Sequence, residues 1–340
     1  MILSFNFIAL IVWGSRHSII PKGRAQASPI PLPFRPASFT FVRIQSPMSD
    51  KHLTEHRYEK LTWPEINDAI AAGQVCIVPC SAVEQHGPHL PLDVDMLLSN
   101  SVALEAGQQR AEKALVLPSV SYGYTGHVMD FPGTINVHYQ HFIEQVLDIT
   151  KSLAYHGFKK ILLLNGHGSN MPNLDLAARR CNLETDAECG LCAWWNLLKV
   201  DPDFLPNWRE SEIGGIAHAC ELETAMYLHL EPENVRQDKI KSGDISFNLD
   251  KSPYRFNDLY AKGCVEITSW TASYSETGVL GAAELATAEK GKVAFEEAVK
   301  NLCGFIDEWH AQPPPIRHEA HARKPTIPMP WDQAVSLPHR

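Results

Sequence analysis

Two short runs with an unbroken apolar interior constrain this chain more than any other feature. They are Gln74-Val-Cys-Ile-Val-Pro79 and Lys160-Ile-Leu-Leu-Leu164. A strand with one wet face alternates apolar and polar side chains, whereas a strand covered on both faces does not. Runs of this kind therefore belong inside a parallel sheet sandwiched between helices. The segments between them agree. Thr62-Trp63-Pro64-Glu65 is a capping box with proline in the first turn, followed by Ile66, Ala69 and Ile70 at helical spacing and closed by Gly73. Residues 96–110, 141–156, 174–183, 221–230 and 284–306 read as helices, and 115–117 and 191–195 as further strands. Strands alternating with helices predict an α/β fold, a three-layer α/β/α sandwich with a mostly parallel sheet.

The ends of the chain have a different texture. Residues 2–13 are apolar but too few to cross a bilayer, which takes about 20. Residues 21–47 are rich in proline and serine and lack periodicity, and Met48-Ser-Asp-Lys resembles an ordinary protein start. We read residues 1–49 as an N-terminal extension, either disordered or an artefact of start-site assignment. A cleaved export signal ending near Ala25-Gln26-Ala27 is the alternative. One catalytic domain is expected over 50–308, without a repeat or an internal linker. The stretch 309–340, with Pro313, Pro314, Pro315, Pro325, Pro328 and Pro330, reads as a tail.

Charge and cysteine usage narrow the class. A net charge of −9 without any Lys/Arg run argues against nucleic acid as a partner. The eight cysteines are scattered through apolar segments, which suggests reduced, buried thiols in a cytoplasmic protein. Cys189-Gly-Leu-Cys192 matches C-x-x-C, but no second pair lies nearby to complete a zinc site.

The chemistry is concentrated where the apolar runs end. Directly after the first comes Glu84-Gln-His-Gly-Pro-His-Leu-Pro-Leu-Asp-Val-Asp95, and after the second Asn165-Gly-His-Gly-Ser-Asn170. In open α/β sheets ligands bind beyond the carboxyl ends of the strands, so the two clusters are expected to form one site. Glu84 and His86 project to the same side of an extended chain. Asp95 follows a loop stiffened by Pro88 and Pro91, and its carboxylate can bridge two ions. His167 sits between two glycines that allow close backbone approach. A third cluster, His218-Ala-Cys-Glu-Leu-Glu-Thr224, enters a helix; His218 and Glu221 are three apart and would share a face, with Glu223 turned elsewhere. Carboxylates and imidazoles suit Zn²⁺, Mn²⁺ or Fe²⁺.

These motifs, with Phe131-Pro-Gly-Thr134, Thr277-Gly-Val-Leu-Gly281 and Ala286-Thr-Ala-Glu-Lys-Gly291, resemble the creatininase family of metal-dependent amidohydrolases over residues 58–305. The resemblance implies a parallel-sheet α/β/α fold, two divalent ions per chain (zinc and/or manganese), a small-molecule amide substrate, no membrane partner, and a homo-oligomer, often a hexamer. It makes Glu84, His86, Asp95 and His167 metal ligands. Creatininase proper has a glutamate two residues after the histidine of its NGH motif, where this chain has Ser169. Family members with a short residue there carry a glutamate in a later H-A-x-E motif, and the resemblance thus implies Glu221 as the fifth ligand. His218 corresponds to the family's proton donor, and Glu223 to an acid that supports catalysis. Trp195, His127 and Ser169 are expected to face substrate. Of the two tryptophans that flank the ring in creatininase proper, Trp195 resembles one; the other position is Gly214.

Overall fold

The computed structural model describes residues 50–241, 243, 254, 258–261, 263–313, 315, 316, 318 and 320–323. The extension read at 1–49 and most of the proline-rich tail lie outside these residues.

The first α-helix among the described residues is α1 (Trp63–Ala71), whose first turn is capped as the sequence implies: Glu65 accepts from the Thr62 N–H at 2.7 Å. Strand β1 (Val75–Cys80) follows, then α2 (Val94–Gln109), β2 (Ala114–Val116), α3 (Tyr139–His156), β3 (Lys160–Asn165), α4 (Met171–Glu184) and β4 (Glu188–Ala193). Among the described residues these strands form a four-stranded, fully parallel sheet in the order β2-β1-β3-β4. The two apolar runs are its two central strands, and every residue in those strands is buried.

Period-two geometry then decides what covers each face. Cys76, Val78, Ile161 and Leu163 pack under α1, α3 and α4. Val75, Ile77, Leu162 and Leu164 pack on the opposite face, against α2, α6 (Glu221–Leu230) and α7 (Ala288–Ala311). The expected three layers result. A short helix α5 (Phe204–Trp208) precedes the antiparallel pair β5 (Ile216–His218) and β6 (Leu280–Gly281), which the sequence patterns did not reveal. No helix among the described residues is long and apolar enough to cross a membrane.

One detail of the sheet differs from expectation. β4 lies earlier than read and ends at Ala193, so Trp194 and Trp195 belong to the 3-10 turn that follows it. Cys189 and Cys192 are an odd number of residues apart on that strand and face opposite layers, which prevents them from acting as a pair. The charge that opens β3 also has a purpose. The buried Lys160 ammonium donates to the carbonyls of Trp309, His310 and Gln312 at the end of α7, where the helix dipole favours a cation.

The strand order fixes where a ligand can sit. From β1 the chain moves to β2 on one side, then returns past β1 to β3 on the other. The reversal leaves a crevice beyond the carboxyl ends of β1 and β3. Glu84 and His167 emerge there.

Candidate metal centre

Four of the predicted ligands meet in this crevice. Asp95 is the hub: Oδ1 lies 3.3 Å from His86 Nε2, and Oδ2 lies 3.1 Å from His167 Nδ1. Glu84 Oε2 is 2.7 Å from the same His167 nitrogen. Local structure aims each group. His86 donates its Nδ1–H to the Glu84 carbonyl at 3.1 Å, which turns Nε2 inward. His167 Nε2–H is held by the Tyr124 carbonyl at 3.2 Å, which turns Nδ1 inward. Backbone partners of this kind fix ring orientation in metal sites. Asp95 occupies the first turn of α2, where the dipole favours an acid. The Asn165 side chain brackets the His167 backbone, accepting from its N–H at 3.1 Å and donating to its carbonyl at 2.6 Å. The glycine between them is required: a Cβ on Gly166 would overlap the Asp95 carbonyl and the Ser99 side chain.

The third cluster supplies His218 and Glu223. The His218 ring lies 4.3 Å from that of His86, tilted by 38°, with Nε2 2.9 Å from the Gln85 carbonyl and 3.6 Å from Glu84 Oε1. Glu223 Oε1 is 3.9 Å from His86 Nε2. Two sets of donor atoms emerge, Glu84–Asp95–His167 and His86–His218–Glu223, with Asp95 between them.

The assignment of a metal ligand to Glu221 is corrected here. Helical spacing from His218 does not apply, because His218 ends β5, Ala219 is left-handed (φ 49°), and α6 starts only at Glu221. The wholly buried Glu221 carboxylate points away from the crevice. It accepts from the Glu210 and Ser211 amides at 2.9 and 3.1 Å and pairs with Lys290. Glu223, two residues on, stands where Glu221 was expected. Asp258 was also missed. It is wholly buried, paired with Arg209 at 2.9 Å, and accepts from the amides of Gly214 and Tyr260 at 2.8 and 3.0 Å. A lone acid in a loop carries no pattern that could have flagged it.

The residues predicted to face substrate line one cavity of about 850 Å³ above the cluster. Trp195, His127 and Ser169 form part of its wall, with Glu84, Asp95, His167, His218 and Glu223 also exposed to it. Ser169 Oγ lies 3.4 Å from His127 Nδ1, and the His127 and His167 rings stack 6.3 Å apart. Residues 263–274 supply much of another wall, which carries no motif in the sequence.

The electrostatics are those of acids and imidazoles buried against one another. Burial favours neutral Glu84, but His167, His218 and His86 outweigh it and hold the carboxyl well below its usual range. Burial likewise opposes a charge on His86, yet Asp95, Glu223 and Glu84 raise it to about 9; Glu84 and Asp95 raise His167 too. Burial dominates for the remaining pair, pushing Glu223 up to about 7 and His218 down to about 4. Three buried atoms, Glu84 Oε2, His86 Nε2 and Asp95 Oδ2, lie 2.7 to 3.3 Å from an acid or ring of the same cluster, yet none is aligned for a hydrogen bond. Such atoms are costly to bury unless something ligates them, and oxygen and imidazole donors converging on two points suit a pair of divalent ions.

Comparisons with known proteins identify the family. The chain is 31% identical to the creatinine amidohydrolase of Pseudomonas putida, over 73% of this chain and 95% of that one. It is 29% identical to a mycofactocin precursor peptide peptidase of Mycobacterium ulcerans, over 74% of this chain and 88% of that one. A solved manganese form of creatininase superposes with a TM-score of 0.62 at 28% identity, covering 76% of this chain and all of that one. The family model for creatininase (creatinine amidohydrolase) matches residues 59–306, and the chain belongs to that family.

Proposed function

We propose that the protein hydrolyses a C–N bond of a small amide, linear or cyclic, using two divalent ions, zinc or manganese. The observation that carries this reading is the set of buried donor atoms without hydrogen-bond partners, shared by two groups through Asp95. Glu84, Asp95 and His167 would hold one ion; His86, Asp95 and Glu223 the other. Such ions supply an ionised water at neutral pH and polarise the substrate carbonyl.

The chain's own residues do the rest. Asp95 fixes the separation of the two halves through its two oxygens. His218 is the most exposed of the cluster, with 17% of its side chain open toward the cavity. Its Nε2–H is anchored on the Gln85 carbonyl. Burial keeps the ring neutral, so its other nitrogen must first take a proton from the attacking water and then hand it to the departing nitrogen, acting as base and acid in turn. Trp195 offers an aromatic wall for the acyl or amine part, and His127 with Ser169 offers polar contacts beside His167.

One observation bears on substrate size. Gly214, at the position where creatininase proper carries its second tryptophan, lies outside the cavity lining and donates its amide to Asp258. With one side of the aromatic clamp absent and about 850 Å³ of cavity, a formamide or short peptide fits better than creatinine. The test is to load purified protein with Zn²⁺ or Mn²⁺ and assay creatinine, formamides, cyclic imides and short peptides. Hydrolysis of a member of the panel, lost in Asp95→Asn, supports the reading. A protein that holds two ions yet hydrolyses none of them overturns it in favour of a non-catalytic metal-binding role.

A further inference from the structure

Glu221 stands two residues from a proposed metal ligand, is wholly buried and charged, and touches nothing in the crevice. We infer that Glu221, through its ion pair with Lys290, is a positioning residue that aims Glu223 at the metal site. The inference rests on the dinuclear reading above.

Three observations carry it. First, residues two apart on a helix lie about 200° apart around its axis. Glu221 and Glu223 occupy the first and third positions of α6, so fixing one side chain outward turns the other inward. Second, Glu221 is tied from two directions. Its carboxylate accepts from the Glu210 and Ser211 amides in the loop before β5, and from Lys290 in the first turn of α7. Lys290 is itself held, over the Trp208 ring at 4.9 Å and against Glu210 at 3.0 Å. The two helices meet at backbone distance just there, since a Cβ on Gly291 would strike the Ala225 carbonyl. Third, the residue joining His218 to α6 is in the left-handed region without being glycine: Ala219, φ 49°. That conformation persists only where surrounding contacts impose it, and such outliers gather at functional sites. Glu221 is two residues beyond it and supplies such a contact. The result at the site is a Glu223 with Oε1 toward His86 and Oε2 beside the Cys220 thiol at 3.8 Å.

The test reads metal binding instead of turnover. Wild type, Glu221→Gln, Lys290→Gln and Lys290→Arg are titrated with Zn²⁺ against a chelating dye, with thermal unfolding measured in parallel. The expected result is that wild type binds two ions. Glu221→Gln and Lys290→Gln should keep one ion at wild-type affinity and bind the second about 10- to 100-fold more weakly. Lys290→Arg, which keeps the pair, should restore the second ion. A lowered melting temperature with both affinities unchanged would make Glu221 merely structural and overturn the inference. Should Glu221→Gln fail to fold, Lys290→Gln decides by the same criterion. If wild type binds fewer than two ions, the dinuclear reading fails, and this inference with it.

Discussion

Two groups of buried acids in this chain are built on opposite principles. Behind α6, Glu221 and Asp258 have a cation and at least two backbone amides each. In the crevice, Glu84, Asp95 and Glu223 face imidazoles across short distances, yet two of the acids' oxygens and one ring nitrogen make no hydrogen bond. A buried carboxylate whose partners are complete holds the fold together. A cluster whose donors converge but stay short of partners is a site. The contrast assigns roles that residue type alone does not: Glu221 and Glu223 are the same amino acid on the same turn.

The contrast can be broken from either side. The largest effect is expected at its hub. Asp95→Asn should lose both ions and all hydrolysis, and a chelator should do the same to wild type until Zn²⁺ or Mn²⁺ is returned; metal analysis beside an amide assay checks both. Next is His218→Gln. With the proton donor gone, kcat should fall about 10²- to 10⁴-fold while both ions stay bound. A loss of metal instead would make His218 a ligand. On the other side, Arg209→Met leaves the Asp258 carboxylate buried without its cation and should cost about 3–5 kcal/mol of stability. Denaturant unfolding measures that, with metal stoichiometry expected to be unchanged.

The smallest effect concerns pH. In the metal-free protein His86 is raised to about 9, and His167 is raised as well. Their pairing with the carboxylates therefore stabilises the fold fully below the unfolded histidine value of about 6.5 and is lost as pH rises through about 9. The metal-free melting temperature should fall by a few degrees between pH 7 and 9.5, and the metal-loaded one should not. The same linkage requires Zn²⁺ uptake at pH 7 to release protons from both rings, readable by calorimetry in buffers of different ionisation enthalpy.

The parts legible in the sequence are those set by local rules. Unbroken apolar runs gave β1 and β3, and polar residues placed straight after them gave Glu84, His86, Asp95 and His167, because a strand's exit determines where its next side chains go. Where a remote partner decides, the pattern fails. The choice between Glu221 and Glu223 depends on the conformation of Ala219 and on Lys290, far along the chain. Asp258 is satisfied by amides, which no side-chain motif records. The three- and two-residue strands β5 and β6 are too short for any periodicity. Trp195 was placed on a strand because its neighbours are apolar, whereas β4 stops at Ala193.

Gly166 has a consequence beyond the histidine it precedes. Its bare α-carbon is where the exit of β3 touches the first turn of α2, so that contact gauges the gap between the two halves of the cluster. One methyl there would wedge helix from strand and spread the Asp95 oxygens from their rings. The spacing between two cations would then be set by an atom that binds neither of them.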